Sequence, residues 1–253
     1  MWKLIVRFVQ AIFSIYAFVI FLLLMILIFP VVVAASFWGK ITGGNLIYRL
    51  CRFWADTCLL LWGMRHKAIY ETGQVTGPGI YVFNHASYMD IPEMMVAIRK
   101  NFRALGKAEL TKVPLFGFIY KNAVVTVDRS SSQNRARSVA ILTSVLKRNI
   151  SVALAPEGTF NMSNKPLKSF YDGAFKIAIE TQTPIRPLLF LDALNRLHYR
   201  SIFSFTPGIL RTVFLEEIPT TGYTINDLNL LKQKVFDAME AALIRYKASW
   251  ISQ

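Results

Sequence analysis

Of the three histidines in this 253-residue chain, His85 stands five residues ahead of Asp90 in the run 80–90, IYVFNHASYMD. An imidazole takes up a proton near neutral pH. A carboxylate bonded to one ring nitrogen fixes the tautomer and leaves the other nitrogen free as a base. Asp90 would orient the ring and stabilise the imidazolium without itself taking the proton. Removal of a hydroxyl proton is the chemistry this pair suits. The same spacing also describes a turn histidine beside a helix-capping aspartate.

Three more blocks carry polar groups at turns. Residues 152–160, VALAPEGTF, run from an apolar stretch into Glu157, Gly158 and Thr159. Gly158 would let the backbone approach a ligand, and Glu157 and Thr159 could hold hydroxyl or phosphate-ester oxygens. Pro-Glu-Gly-Thr is also ordinary turn chemistry. Lys107, in LGKAEL at 105–110 ahead of Pro114 and Gly117, could meet a phosphate or steady an oxyanion, or simply be a solvated lysine. Arg186 sits in TPIRPL at 183–188. No Gly-x-Ser-x-Gly elbow seats a serine nucleophile, so Ser87 reads as a structural or hydrogen-bonding residue. There is no His-Glu-x-x-His or paired-cysteine pattern for a metal. His66 and His198 read as interfacial or core histidines. Cys51 and Cys58, seven apart, read as reduced, packed thiols.

These residues need elements to hold them. Apolar runs at 80–83, 102–105, 123–127, 152–155, 185–191 and 212–215 predict strands, and helical periodicity marks 90–99, 133–147 and 172–181. A long helix is expected over 224–247, opened by a Thr224–Asp227 capping box. The alternation predicts an α/β fold, a mixed sheet covered by helices, with its chemistry at the carboxyl ends of the strands. His85 follows the first of those strands.

Composition adds a membrane. Hydrophobic residues are 54% of the chain and charged ones 17%, against ~25% in an ordinary soluble protein. Mean hydropathy is +0.39, which excludes disorder and argues against a freely soluble protein. Residues 8–38 carry no charge, enough for ~46 Å of helix against a hydrocarbon core of ~30 Å. Pro30 divides this run, leaving 8–29 able to span and 31–38 too short to return. Either one tilted crossing or a helix pair dipping into one leaflet fits. Lys3, Arg7 and Val33-Ala34-Ala35 resemble a cleaved signal, but the apolar stretch exceeds the ~7–15 residues of a signal, which favours a retained anchor. Residues 46–64 read as an interfacial helix anchored by Trp54 and Trp62, or as a buried helix with snorkelling arginines. The division expected is 1–65 for the membrane segment and 66–253 for the α/β domain. Basic residues after the apolar run (Lys40, Arg49, Arg52, Arg65 and Lys67) place that domain at the cytoplasmic face. The net charge of +14 attracts polyanions, and beside such apolarity it favours a lipid surface. No nucleic-acid motif accompanies it.

The four blocks, in this order and over roughly residues 77–220, resemble the glycerolipid acyltransferase family, membrane enzymes that acylate lysophosphatidic acid and related acceptors. The H-x4-D block is similar to residues 84–90. The Gly-Lys-x-Glu-Leu block is similar to 106–110 with Pro114 and Gly117, the Pro-Glu-Gly-Thr block to 156–159, and the closing Pro-hydrophobic-x-Pro strand to 184–187. The resemblance implies an acyl-CoA or acyl carrier protein donor, no further cofactor, and direct attack by a lysophospholipid hydroxyl without an acyl-enzyme. It implies 1-acyl-glycerol-3-phosphate as acceptor and phosphatidic acid as product. His85 would be the base and Asp90 its partner, with Lys107, Glu157, Gly158, Thr159 and Arg186 binding substrate. Many members place arginine after Pro-Glu-Gly-Thr, to meet acceptor phosphate, where this chain has Phe160. Either Lys107, Lys165, Lys168 or Arg186 supplies that charge, or the acceptor is a non-phosphate lysolipid such as a lyso-aminolipid. Arg129, Arg135, Arg137, Lys147 and Arg148 could dock an acidic carrier protein. A basic membrane-binding protein without catalysis is the alternative from another class.

Overall fold

The computed structural model describes residues 2–73, 75–127 and 131–251. Strands β1 (Met64–Tyr70), β2 (Ile80–Phe83), β3 (Phe102–Lys107), β4 (Val124–Val127), β5 (Ser151–Leu154), β6 (Ile185–Phe190) and β7 (Gly208–Phe214) form a 7-stranded sheet in the order β1-β7-β6-β2-β5-β3-β4. Only β6 and β7 pair antiparallel; every other neighbouring pair is parallel. This is the mixed sheet expected.

Pleating sends successive side chains to opposite faces. In β2, Ile80 and Val82 enter one core while Tyr81 and Phe83 enter the other. The first core is closed by α5 (Ser132–Leu146), α6 (Gly173–Thr181) and α8 (Leu228–Arg245), through Leu142, Phe175, Leu231 and Val235. The capping box ahead of α8 is formed, with Thr224 N donating to Asp227 Oδ2 at 2.8 Å. The second face is covered by α1 (Trp2–Ser36), α2 (Gly44–Leu61), α3 (Asp90–Ala97) and α4 (Phe116–Ala123).

The amino-terminal region departs from expectation in two ways. First, α1 runs unbroken through Pro30 instead of dividing there. Packing on both sides of the proline holds it: the Phe29 ring meets Phe118 edge-on at 5.8 Å, and Ala35 is fully buried. Second, Trp54 and Trp62 are not interfacial anchors. Both are buried between the helices, their indole N–H groups donating to Phe21 O at 3.2 Å and Ala17 O at 3.0 Å on α1. An indole buried in apolar surroundings needs such an acceptor, and the helical carbonyls of α1 provide it. The face of 46–64 that bears the two tryptophans is therefore buried, while Phe53 and Leu60 are exposed.

A turn at Gly39–Gly43 joins the two helices. A Cβ on Gly43 would lie 2.1 Å from the Ala35 carbonyl oxygen, so only glycine lets the chain double back this tightly. Arg103 of β3, 4% exposed, reaches into the turn from below and donates to Asn45 Oδ1 at 2.8 Å and Lys40 O at 3.3 Å. Sequence reading also missed β1, whose MRHKAIY has three basic or imidazole residues. It is an edge strand, buried chiefly at Met64, and its parallel pairing with β7 is what makes it a strand.

Candidate active site

Strand register brings the first two blocks together. Val82 of β2 pairs with Leu154 of β5, so both chains leave the sheet side by side and in the same direction. The turn after β2 carries His85 and the turn after β5 carries Glu157. Asn84 fixes the first exit by exchanging two hydrogen bonds with Phe190 of β6: Nδ2 donates to its carbonyl at 3.0 Å and Oδ1 accepts its N–H at 2.9 Å.

Asp90 opens α3 and turns back on the same loop. Its Oδ2 lies 2.7 Å from His85 Nδ1 and accepts the backbone N–H of Ala86 and of Ser87, each at 2.9 Å. Asp90 is fully buried, whereas the His85 side chain is 20% exposed. A carboxylate held by two N–H groups is locked in place, so Nδ1 carries its hydrogen toward Asp90 and Nε2 is left as the basic nitrogen. Ser87 is buried and fully engaged, its Oγ donating to Leu197 O at 2.5 Å and accepting Met89 N at 3.0 Å. It has no lone role as a nucleophile.

Glu157 is 1% exposed and clamps the site from beneath. One oxygen accepts His85 N and the other Lys168 N, both at 2.9 Å. Burial pushes its carboxyl up to about 7, against the pull of those two N–H groups, which favour the carboxylate. Each oxygen thus accepts one backbone N–H, and Glu157 ties the turn that carries His85 to the loop that carries Lys168. Gly158 takes φ +73°, which turns the chain sharply out of the site floor. Thr159 Oγ1 accepts a hydrogen bond from Lys168 Nζ at 2.5 Å. Phe160 meets the His85 ring edge-on at 4.4 Å and Tyr88 at 4.8 Å.

Lys107 ends β3, exposed, at the same carboxyl edge of the sheet but beyond β5. Arg186 does not join the site. It lies near the start of β6, paired in register with Tyr81, at the opposite end of the strands. There it is buried and spent, its Nε donating to Glu217 at 2.6 Å and its other nitrogens to Thr76 O and Gly77 O. A guanidinium so enclosed serves the fold, and its expected contact with substrate is corrected accordingly.

The family profile described as Acyltransferase matches residues 66–191. A nematode protein, assigned as the 1-acyl-sn-glycerol-3-phosphate acyltransferase acl-2 of Caenorhabditis elegans, is 31% identical over 218 residues, 81% of this chain and 72% of its own length. The chain belongs to the acyltransferase family. Human 1-acyl-sn-glycerol-3-phosphate acyltransferase beta is 30% identical over 173 residues, covering 68% of this acyltransferase and 62% of the human protein. The crystal structure of the 1-acyl-sn-glycerophosphate (LPA) acyltransferase PlsC from Thermotoga maritima superposes with a TM-score of 0.75 at 20% identity, over 97% of this chain and all of that one. That likeness is one of fold.

Further polar residues stand behind the dyad of this acyltransferase. Glu93, one turn along α3 from Asp90, is fully buried, and burial drives its carboxyl well above the usual range. Thr212 Oγ1 of β7 donates to it at 2.7 Å and lies 2.9 Å from His66 Nε2 on β1. An acid three residues after Asp90 is visible in the sequence; its partner Thr212 on β7, and His66 on β1 beyond it, are not. An apolar cavity of about 190 Å³ opens between the helix pair, α3, α4 and β3, lined by Phe21, Trp54, Met94, Met95 and Gly106 among others. Of the basic cluster expected to dock a carrier protein, Arg129 and the side chain of Arg135 lie outside the described residues, while Arg137 and Lys147 are exposed. Among the described residues no cluster of histidine, cysteine and acidic side chains is arranged to hold a metal.

Proposed function

We propose that this acyltransferase moves an acyl chain from an acyl thioester to the free hydroxyl of 1-acyl-glycerol-3-phosphate, giving phosphatidic acid at the surface of a membrane. The observation that carries the reading is the 2.7 Å approach of His85 Nδ1 to the buried, doubly anchored Asp90, at a rim where the imidazole still meets solvent. His85 Nε2 takes the hydroxyl proton as the acceptor oxygen attacks the thioester carbonyl. The new C–O bond forms and the C–S bond breaks. The proton then passes from the imidazolium to the departing thiolate, and Asp90 stays ionised throughout.

The backbone N–H groups of His85, Ala86 and Ser87 are already committed to Glu157 and Asp90, so none of them faces a developing oxyanion. Lys107, exposed at the same edge, is left to steady that charge. The apolar cavity beneath the helix pair takes an acyl chain. The donor is acyl-CoA or an acyl carrier protein.

The helix pair holds the enzyme to lipid. From Gln10, whose Nε2 donates to Ser204 O at 2.9 Å, to Ala35 at the turn, one face of α1 is packed on the protein. The opposite face exposes Phe18, Leu23, Ile26 and Leu27, and Phe53 and Leu60 of α2 are exposed as well. A helix fastened along its length to a polar domain does not stand across a bilayer. It lies in one leaflet, with the acceptor's acyl chains beside it.

The experiment is thiol release from acyl-CoA with lysophosphatidic acid, using wild type and His85→Ala. General-base catalysis is worth ~10²–10⁴-fold, so the variant should lose at least about a hundredfold in turnover with its thermal transition unchanged. Near-normal turnover in the folded variant would defeat the assignment.

A further inference from the structure

Phe160 packs against His85 and Tyr88 and brings no charge to the acceptor. In 1-acyl-glycerol-3-phosphate the reacting hydroxyl and the phosphate sit on adjacent carbons. A cation for that phosphate must therefore stand beside the base. We infer that Lys168 receives the acceptor's phosphate and sets the preference for phosphorylated over uncharged lysolipids. The inference rests on the acceptor proposed above.

Glu157 fixes the geometry. Its two oxygens hold the backbone N–H of His85 and of Lys168, each at 2.9 Å, so one buried carboxylate is all that separates the two residues. The Lys168 ammonium then swings over the Pro-Glu-Gly-Thr turn and donates to Thr159 Oγ1 at 2.5 Å. Among the described residues no carboxylate pairs with that ammonium. An ammonium has three N–H donors, and one is used. The Thr159 hydroxyl, accepting from lysine, keeps its own hydrogen to give. Two N–H groups and one O–H thus remain for phosphate oxygens, on a loop already in contact with the catalytic ring. The half-buried stem costs the side chain little further freedom on binding, because the hydroxyl already holds it.

The other cations fit less well. Arg186 is enclosed at the far end of the strands by Glu217 and two carbonyls. Lys107, at the end of β3, is already given to the developing oxyanion in the mechanism proposed above. Lys165 is exposed and is held through its carbonyl, which accepts from Asn161 Nδ2 at 2.9 Å and Trp250 Nε1 at 3.2 Å. Only Lys168 is steered by its own charged group.

The test compares lysophosphatidic acid with monoacylglycerol as acceptors for wild type, Lys168→Met and Lys168→Arg, measured as thiol release in mixed micelles. A hydrogen-bonded charge removed from a phosphate site typically costs ~10–100-fold. Lys168→Met should raise KM for lysophosphatidic acid by that factor, with a much smaller change in kcat. Its preference over monoacylglycerol should collapse by the same factor. Lys168→Arg, which keeps the charge, should recover most of it. A folded Lys168→Met enzyme that keeps the wild-type preference overturns the inference alone. Wild type that ignores lysophosphatidic acid while acylating monoacylglycerol overturns both the inference and the proposed acceptor. An equal fall in kcat for both acceptors, unrelieved by arginine, marks Lys168 as structural and also overturns the inference.

Discussion

Three carboxyl groups at and behind His85 sit in different surroundings. Asp90 is anchored by two N–H groups and lies 2.7 Å from the imidazole. Glu93 is buried with one hydroxyl donor, and desolvation drives it toward the neutral acid. Glu157 lies between, at about 7 against an ordinary 4.5. A carboxyl whose folded pKa is raised holds its proton longer in the folded protein than in the unfolded one. Its favourable contribution is complete below the unfolded value and is lost as pH rises toward the folded value. Two to three pH units at about 1.4 kcal/mol each amount to roughly 3 kcal/mol. Glu157→Gln cannot ionise, so between pH 4.5 and 8 its stability should gain on wild type by about that amount. Denaturant titrations of both proteins in detergent, across that pH range, measure the gap. Curves that run parallel would mean that Glu157 keeps an ordinary carboxyl.

At the level of elements, strands that alternate cleanly were legible and elements that depend on a distant partner were not. The run ending at Phe83 and the run ending at Leu154 were placed within a residue of their observed ends, because buried apolar stretches bounded by turns leave few choices. The same reading anticipated the turn of Asp90 back to His85 and the tight turn at Gly158, both of which are local. It could not place Arg186, since nothing in TPIRPL reveals which end of the sheet the guanidinium faces. Nor could it separate Lys168 from Lys165, because the contact with Thr159 closes a nine-residue loop. Pro30 misled for a related reason: α1 survives it because α2 and α4 pack on either side. The helix pair also carries a prediction. Phe18 and Leu23 are 62% and 58% exposed, so changing both to glutamate leaves the packed face intact. Burying each large apolar side chain in lipid is worth ~1.5–3 kcal/mol. The double variant should therefore cosediment with anionic vesicles at least about tenfold less well, at an unchanged thermal transition. Undiminished binding would move the lipid contact off α1.

Across the whole molecule, charge and apolar surface act on the same event. In the proposed encounter with a membrane, the net charge of +14 draws the chain to anionic headgroups before the exposed face of α1 meets acyl chains. The geometry of that meeting decides where the two ends of α1 can lie. Phe205 N donates to Ser14 Oγ at 3.1 Å near one end, and Arg103 holds the turn beyond the other. Both attachments belong to the single body that bears His85, and α8 closes the far face of the same sheet. If α1 lies in one leaflet, a label at Trp2 and a label at Asn229, an exposed residue of α8, must be reachable from the same side of the membrane. Cysteine placed at each position in turn, in a protein whose Cys51 and Cys58 are replaced by alanine, tests this with an impermeant maleimide. In sealed vesicles of known orientation both sites should react from one and the same side, and neither from the other. Labelling of position 2 from the opposite side would require α1 to cross. The packed face from Gln10 to Ala35 would then have to leave the domain, taking with it the buried indoles of Trp54 and Trp62 and the wall of the acyl cavity.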